Sequence, residues 1–197
     1  MLNTHAHFDH SGGLAELKAV SGAEMIASEG DRSALEGGFY LGSEDETVLD
    51  APPVKVDRLV SDGQIISLGG TTLTANLTPG HSRGCTSWTL NLRHDGADYE
   101  ALIFCSATVA ANRLVGPPQY VGIVGDYRAT LARIATWTPD LFLGNHPEFF
   151  KMETKRAALE AGDTLAFVER EQFPLFAARM QSAFDKALEA QTEAAGN

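Results

Sequence analysis

Six consecutive residues, His5-Ala6-His7-Phe8-Asp9-His10, constrain this chain more than any other stretch, because they set three imidazoles and a carboxylate side by side. Few structural roles need that density. In an extended run alternate side chains point the same way, so His5 and His7 face one ion together. Asp9 and His10 fall where the run turns, just ahead of Gly12 and Gly13, and face a second ion. Zinc takes neutral imidazole nitrogen at about 2.0–2.1 Å and carboxylate oxygen at a similar range. Two such ions a few ångströms apart hold a hydroxide between them. The segment therefore reads as one side of a two-zinc hydrolytic site, with a turn or helix-cap role as the alternative for Asp9.

Each ion needs further ligands, and His81, His94 and His146 remain to supply them. His81 follows the Pro79-Gly80 turn, and His146 follows the apolar run at 140–144. Both are loop positions at strand ends, where a site on a rigid scaffold is assembled. His94 opens the turn segment 94–98 and is expected to be a solvated turn residue. Since ligand imidazoles must be neutral, zinc affinity is expected to fall below about pH 6.

The rest of the chain limits what such a site can serve. With 197 residues, 44% of them hydrophobic, it is long enough for one domain with a sizeable core. A formal charge of -11 opposes nucleic-acid phosphates, and no run approaches the roughly 20 apolar residues that spanning a bilayer requires. Nucleic acid and membrane are thus set aside as partners. A single domain over residues 1–197 is expected, incomplete at its N-terminus: Met1 to Thr4 read as the last residues of a buried strand without neighbours. An upstream segment, with any signal peptide, is expected to lie outside this sequence, which carries none itself.

Periodicity places the motifs. Leu14, Leu17 and Val20 recur at helical spacing after Gly12 and Gly13, predicting a helix over 12–20 with these three on one face. A short strand is predicted at 25–27, a short helix at 29–35 and a surface loop at 37–56. Beta-branched and apolar runs between 64 and 93 predict antiparallel strands, and residues 94–98 a hairpin connection pairing 85–93 with 99–106. Helices are predicted at 126–137, where Leu131, Ile134 and Ala135 share a face, at 153–161 and at 173–192. The last carries a stripe of Phe173, Phe176, Met180, Phe184 and Leu188 that suits core packing. A strand is predicted at 140–144.

In this order, THAHFDHSGG, PGHSRGCTSW, FCSATV and LGNHPEFF resemble the motifs of the metallo-beta-lactamase superfamily, and the likeness covers nearly the whole chain. It implies an α/β fold, the αββα sandwich of that superfamily, here lacking much of the N-terminal half. Most of the superfamily carries a bridging Asp at the hairpin strand end, which would fall within Phe104-Cys105-Ser106, and no carboxylate stands there. That departure argues against glyoxalase II, the ribonuclease relatives and many lactonases, and favours true beta-lactamases. His5 and Ser106 then resemble the third subclass. By this likeness His5, His7 and His81 bind the first Zn2+ and Asp9, His10 and His146 the second, with Asp9 as the catalytic residue that orients the hydroxide. Ser106 and Thr108 contact the substrate carboxylate. The likeness also implies a disulfide between Cys85 and Cys105. Two alternatives stay open: Cys105 as a metal ligand shifted by one residue, and two buried free thiols.

The implied activity is zinc-dependent hydrolysis of the beta-lactam amide bond by a hydroxide held between two zinc ions, without a covalent acyl-enzyme and hence without Ser82, Ser87 or Ser106 as nucleophile. Two Zn2+, one Asp and one hydroxide leave a local positive field that attracts carboxylate-bearing substrates into an acidic protein. The resemblance implies a monomer acting on a small-molecule beta-lactam, conferring antibiotic resistance, periplasmic or secreted in its full-length form. The rival expectations are a lactone or thioester hydrolase of the same fold, and a catalytically silent zinc-binding fragment.

Overall fold

The computed structural model describes residues 1–196. Its elements run α1 (Phe8–Ser11), α2 (Leu14–Ser21), β1 (Ile26–Ser28), α3 (Glu29–Gly37), β2 (Arg58–Val60), β3 (Ile65–Leu68), β4 (Thr71–Leu77), β5 (Thr86–His94), β6 (Ala97–Phe104), α4 (Ile123–Ile134), β7 (Leu141–Gly144), α5 (Met152–Glu160) and α6 (Gln172–Ala195). Strands β1 and β2 pair in parallel. The larger sheet has the order β3-β4-β5-β6-β7, antiparallel except for the parallel β6–β7 pair.

Apolar side chains bury themselves in layers that follow from strand alternation and helical stripes. Ile26 and Val60 of the small sheet pack against Ile66, Ala75 and Trp88 of the large one. Outside the small sheet, Met25 and Ala27 pack with Leu14 of α2 and Ala34 and Leu35 of α3. Outside the large sheet, Leu102, Phe104 and Phe142 meet Tyr127 and Leu131 of α4 and Phe173, Phe176 and Phe184 of α6. The result is helix, sheet, sheet, helix, the αββα sandwich expected from the resemblance. The α6 stripe is core as predicted, with Met180 and Leu188 at its margin; each fully buried Phe contributes roughly 1.5–3 kcal/mol.

Several expectations are corrected. Residues 1–4 form no strand; Leu2 makes one isolated bridge to Ile26. Only Leu14 of the supposed α2 face is buried, while Leu17 and Val20 are 54% and 77% exposed. Helical spacing alone did not reveal that α2 touches the core through a single turn. Ala135 is exposed at the C-cap of α4, and that helix begins at Ile123, after Gly122 in the left-handed region. The hairpin turn is tighter than the segment 94–98: His94 pairs with Ala97, leaving Asp95 and Gly96, both at positive φ, as the two-residue turn that the right-handed twist of a hairpin favours. Cys85, Cys105 and Ser106 lie beyond the strand ends. There the Cys105 N–H donates to the Ser87 hydroxyl instead of a ladder carbonyl.

Cys85 and Cys105 are joined in a disulfide across the inner end of the β5–β6 hairpin, 20 residues apart in sequence. Both free thiols and a Cys105 ligand are therefore excluded in this structure. In the chain-entropy account a loop of this size stabilises by about 3 kcal/mol. Replacing both cysteines by alanine should lower the urea unfolding free energy by about that amount, and an unchanged midpoint would show that the cross-link does not constrain the unfolded chain.

Candidate metal centre

All six ligand-type side chains predicted from sequence meet at one rim of the sandwich. His5 and His7 precede the one-turn helix α1, which carries Asp9 and His10. His81 lies between β4 and β5, and His146 follows β7. The ligand-type atoms of His5, His7 and His81 all lie within 4.8 Å of one another, as do those of Asp9, His10 and His146. The two groups adjoin through the His5 and His10 rings, whose centroids are 4.4 Å apart. The six side chains singled out in the sequence are thus brought together, while His94 ends β5 beside Asp95, away from the cluster.

Hydrogen bonds orient the rings. His81 Nδ1 lies 2.7 Å from the Thr108 carbonyl oxygen, so Nδ1–H donates there and Nε2 is left as the lone-pair nitrogen. His5 Nδ1 lies 3.2 Å from the Thr4 hydroxyl, while its buried Nε2 has no hydrogen-bond partner among the described residues. An orphaned buried nitrogen is costly unless something binds it, and here it belongs to a trio of imidazoles. His7 stacks on Tyr40 with ring centroids 4.3 Å apart. In the second group Asp9 Oδ2 stands 3.2 Å from His10 Nε2 and 3.7 Å from His146 Nε2.

Burial sets the protonation of the first group. Desolvation, reinforced by the neighbouring imidazoles, holds His5 well below its ordinary value and His7 at about 2. Desolvation likewise brings His81 down to about 4, against the opposing pull of its Thr108 hydrogen bond. His10 is lowered by desolvation, with Asp9 opposing. The fold thus presents neutral imidazoles, the form that ligates zinc. For the first group, the loss of zinc affinity expected below about pH 6 moves to lower pH, because these rings stay neutral in the fold. Three clustered neutral imidazoles with one orphaned nitrogen, and beside them a carboxylate with two further histidines, fit a metal centre in the chemistry of their donors. A third grouping, His5 with Cys85 and Cys105, offers no thiolate because both sulfurs are in the disulfide.

Ser106 and Thr108 are together: the Thr108 N–H donates to Ser106 Oγ at 3.3 Å, and their hydroxyls are 3.1 Å apart. Ser106 is only 1% exposed, so Thr108, half-buried and 3.2 Å from His81 Nδ1, is the more open of the two. Sequence reasoning missed Tyr40, Asn112 and Asp31. The Tyr40 hydroxyl donates to Asn112 Oδ1, and the Asn112 amide donates to the His81 carbonyl and the Tyr127 hydroxyl. Nothing in the spacing of Tyr40 or Asn112 marks them; they reach the site only through tertiary contact. Asp31 had one signal, an acidic residue in the first turn of α3, which reads as an ordinary helix-dipole partner.

A four-layer αββα sandwich with two adjoining ligand groups on one rim defines the metallo-beta-lactamase superfamily, and this chain belongs to it. The model of that superfamily matches residues 1–94. Among solved structures, the chain is similar to BJP-1, a subclass B3 metallo-beta-lactamase of Bradyrhizobium japonicum, at 50% identity and a TM-score of 0.95, covering 98% of this chain and 73% of that one. Among curated proteins it is 34% identical over 84 residues to a hydroxyacylglutathione hydrolase of Rhodospirillum rubrum, 43% of this chain. It is 40% identical over 94 residues to the acyl-coenzyme A thioesterase MBLAC2 of Gallus gallus, 41% of this chain. The matched segments span 26% and 33% of those two curated relatives.

Proposed function

We propose that the protein hydrolyses the amide bond of beta-lactams, using two zinc ions held by His5, His7 and His81 and by Asp9, His10 and His146. The observation that supports this reading is that two groups of ligand-type side chains with no member in common lie side by side, in a chain half identical across nearly its whole length to a subclass B3 beta-lactamase. Bound zinc lowers the pKa of coordinated water from about 15.7 to about 7 and polarises a carbonyl oxygen.

The chain's own residues supply orientation. Asp9, 40% exposed at the mouth of the rim, accepts a hydrogen bond from the attacking water and so aims it. The Thr108 hydroxyl, backed by Ser106 Oγ, donates to the substrate carboxylate. Because Thr108 also fixes the His81 ring through its carbonyl, substrate recognition and ligand orientation meet in one residue. The disulfide suits an oxidising compartment such as a periplasm, where an enzyme of this kind would confer antibiotic resistance, and we propose that it acts there as a monomer. A thioester is the second reading, favoured by the match to the named thioesterase.

Hydrolysis of a carbapenem by the zinc-loaded chain should be abolished by a chelator and restored by added zinc. Cleavage of an acyl-glutathione or acyl-coenzyme A thioester without beta-lactam turnover would replace the first reading with the second. Zinc binding without turnover of either would leave a silent metal-binding protein.

A further inference from the structure

Asp31 belongs to neither ligand group, yet it is only 3% exposed, and three donors converge on its carboxylate. Oδ2 accepts from the Ala6 N–H at 3.0 Å and the Ser82 hydroxyl at 2.8 Å, and Oδ1 accepts from the Gly84 N–H at 2.7 Å. Ala6 stands between His5 and His7, and Ser82 follows His81. One side chain therefore ties together the two segments that carry the three-histidine group. We propose that Asp31 is a positioning residue for the zinc ion of His5, His7 and His81. The proposal rests on the zinc reading above and adds what makes that group bind tightly.

The surrounding backbone shows why the carboxylate is held so firmly. The first turn of α3 and the turn at 82–85 approach too closely for side chains between them. A Cβ on Gly30 would lie 2.4 Å from the Arg83 carbonyl oxygen, and one on Gly84 would lie 2.3 Å from the Asp31 nitrogen and 2.6 Å from Asp31 Cγ. The Ser28 hydroxyl donates to the Gly84 carbonyl across the same contact. With helix and turn locked, the bond from Ala6 brings the His5–His7 segment to a fixed distance from His81. Three hydrogen bonds that all arrive as donors require an acceptor on both oxygens, which an ionised carboxylate provides and an amide does not. The hydrogen bonds of Asp31 reach the backbone at Ala6, between His5 and His7, and the turn next to His81, whereas Asp9 and His10 stand one turn further on in α1 and His146 beyond β7, so its removal should act chiefly on the first ion. Changes to groups that orient a ligand typically cost about 10–100-fold in metal affinity.

The test is zinc titration of the full chain, wild type against Asp31→Asn and Ser82→Ala, with the imidazole proton NMR signals reporting which histidines each equivalent perturbs. In Asp31→Asn, binding at His5, His7 and His81 should weaken by about 10–100-fold, while the equivalent that perturbs His10 and His146 keeps its affinity. Ser82→Ala, which removes one donor and strands no charge, should weaken the same site by a smaller factor. A folded Asp31→Asn protein with a lower Tm but unchanged zinc affinity at both sites would overturn the proposal and leave Asp31 a structural residue. If Asp31→Asn does not fold, Ser82→Ala decides by the same criterion. Wild-type protein that binds no zinc at these histidines would instead sink the metal reading itself, a distinguishable result.

Discussion

Asp9→Asn should reduce beta-lactam turnover by more than about 100-fold while leaving the metal-free Tm nearly unchanged. Changes one step removed from a metal already cost about 10–100-fold, and in the function proposed above Asp9 serves both as ligand and as the acceptor that aims the water. The stability side of the prediction follows from its surroundings. Asp9 is 40% exposed, and its close partners are the His10 and His146 imidazoles; it anchors no segment of the core. Exposed pairs of this sort contribute about 0–1 kcal/mol. The measurement is kcat with a carbapenem beside a thermal melt of the chelated protein. Retained turnover would remove Asp9 from the chemistry, and a collapse of the fold would show that its main task is structural.

The second large effect is acid sensitivity of the metal-free chain. His5, His7 and His81 are held far below the 6.5 of the unfolded chain, so below that pH the unfolded state binds protons that the fold refuses. Stability from these groups is present above 6.5 and falls as the pH drops, until His81 begins to charge near pH 4. Each such group contributes about 1.36 kcal/mol per pH unit in that window. Asp31 works in the opposite direction. Burial raises it from 3.8 to about 6, so between those values the fold takes up a proton that the unfolded chain does not, offsetting one histidine. The net loss between pH 7 and 5 should be on the order of 4 kcal/mol, a large part of an ordinary domain's stability of about 5–15 kcal/mol. Urea midpoints of chelated protein at pH 7, 6 and 5 measure it directly. Midpoints that hold constant would mean that the imidazoles are hydrated rather than buried.

The six ligand-type residues were legible in sequence because their chemistry is concentrated: no other short segment resembles 5–10, and His81 and His146 each follow a turn or strand end. The layered fold was legible through strand alternation and the α6 stripe. What escaped was set by contacts between distant segments. The exposure of Leu17 and Val20 depends on how little of α2 meets the sheet. Tyr40 reaches His7 from a loop whose composition says only that it is irregular. Asp31 looks like a helix-start acid until the 82–85 turn is seen against it, and the reason for Gly30 and Gly84 appears only when both are read together.

The six ligand-type residues are unevenly spread along the chain. Residues 5–10 gather their imidazoles within one short segment, whereas His81 stands ahead of the β5–β6 hairpin and His146 only beyond β7, so the two groups draw on distant parts of the chain. In the zinc reading proposed above, residues 5–10 alone would offer four donor side chains to a metal ion even in the unfolded chain. Metal that already binds the unfolded chain stabilises the fold by less than its native affinity suggests. Filling both proposed groups, by contrast, would require residues from 5 to 146 to have reached their places.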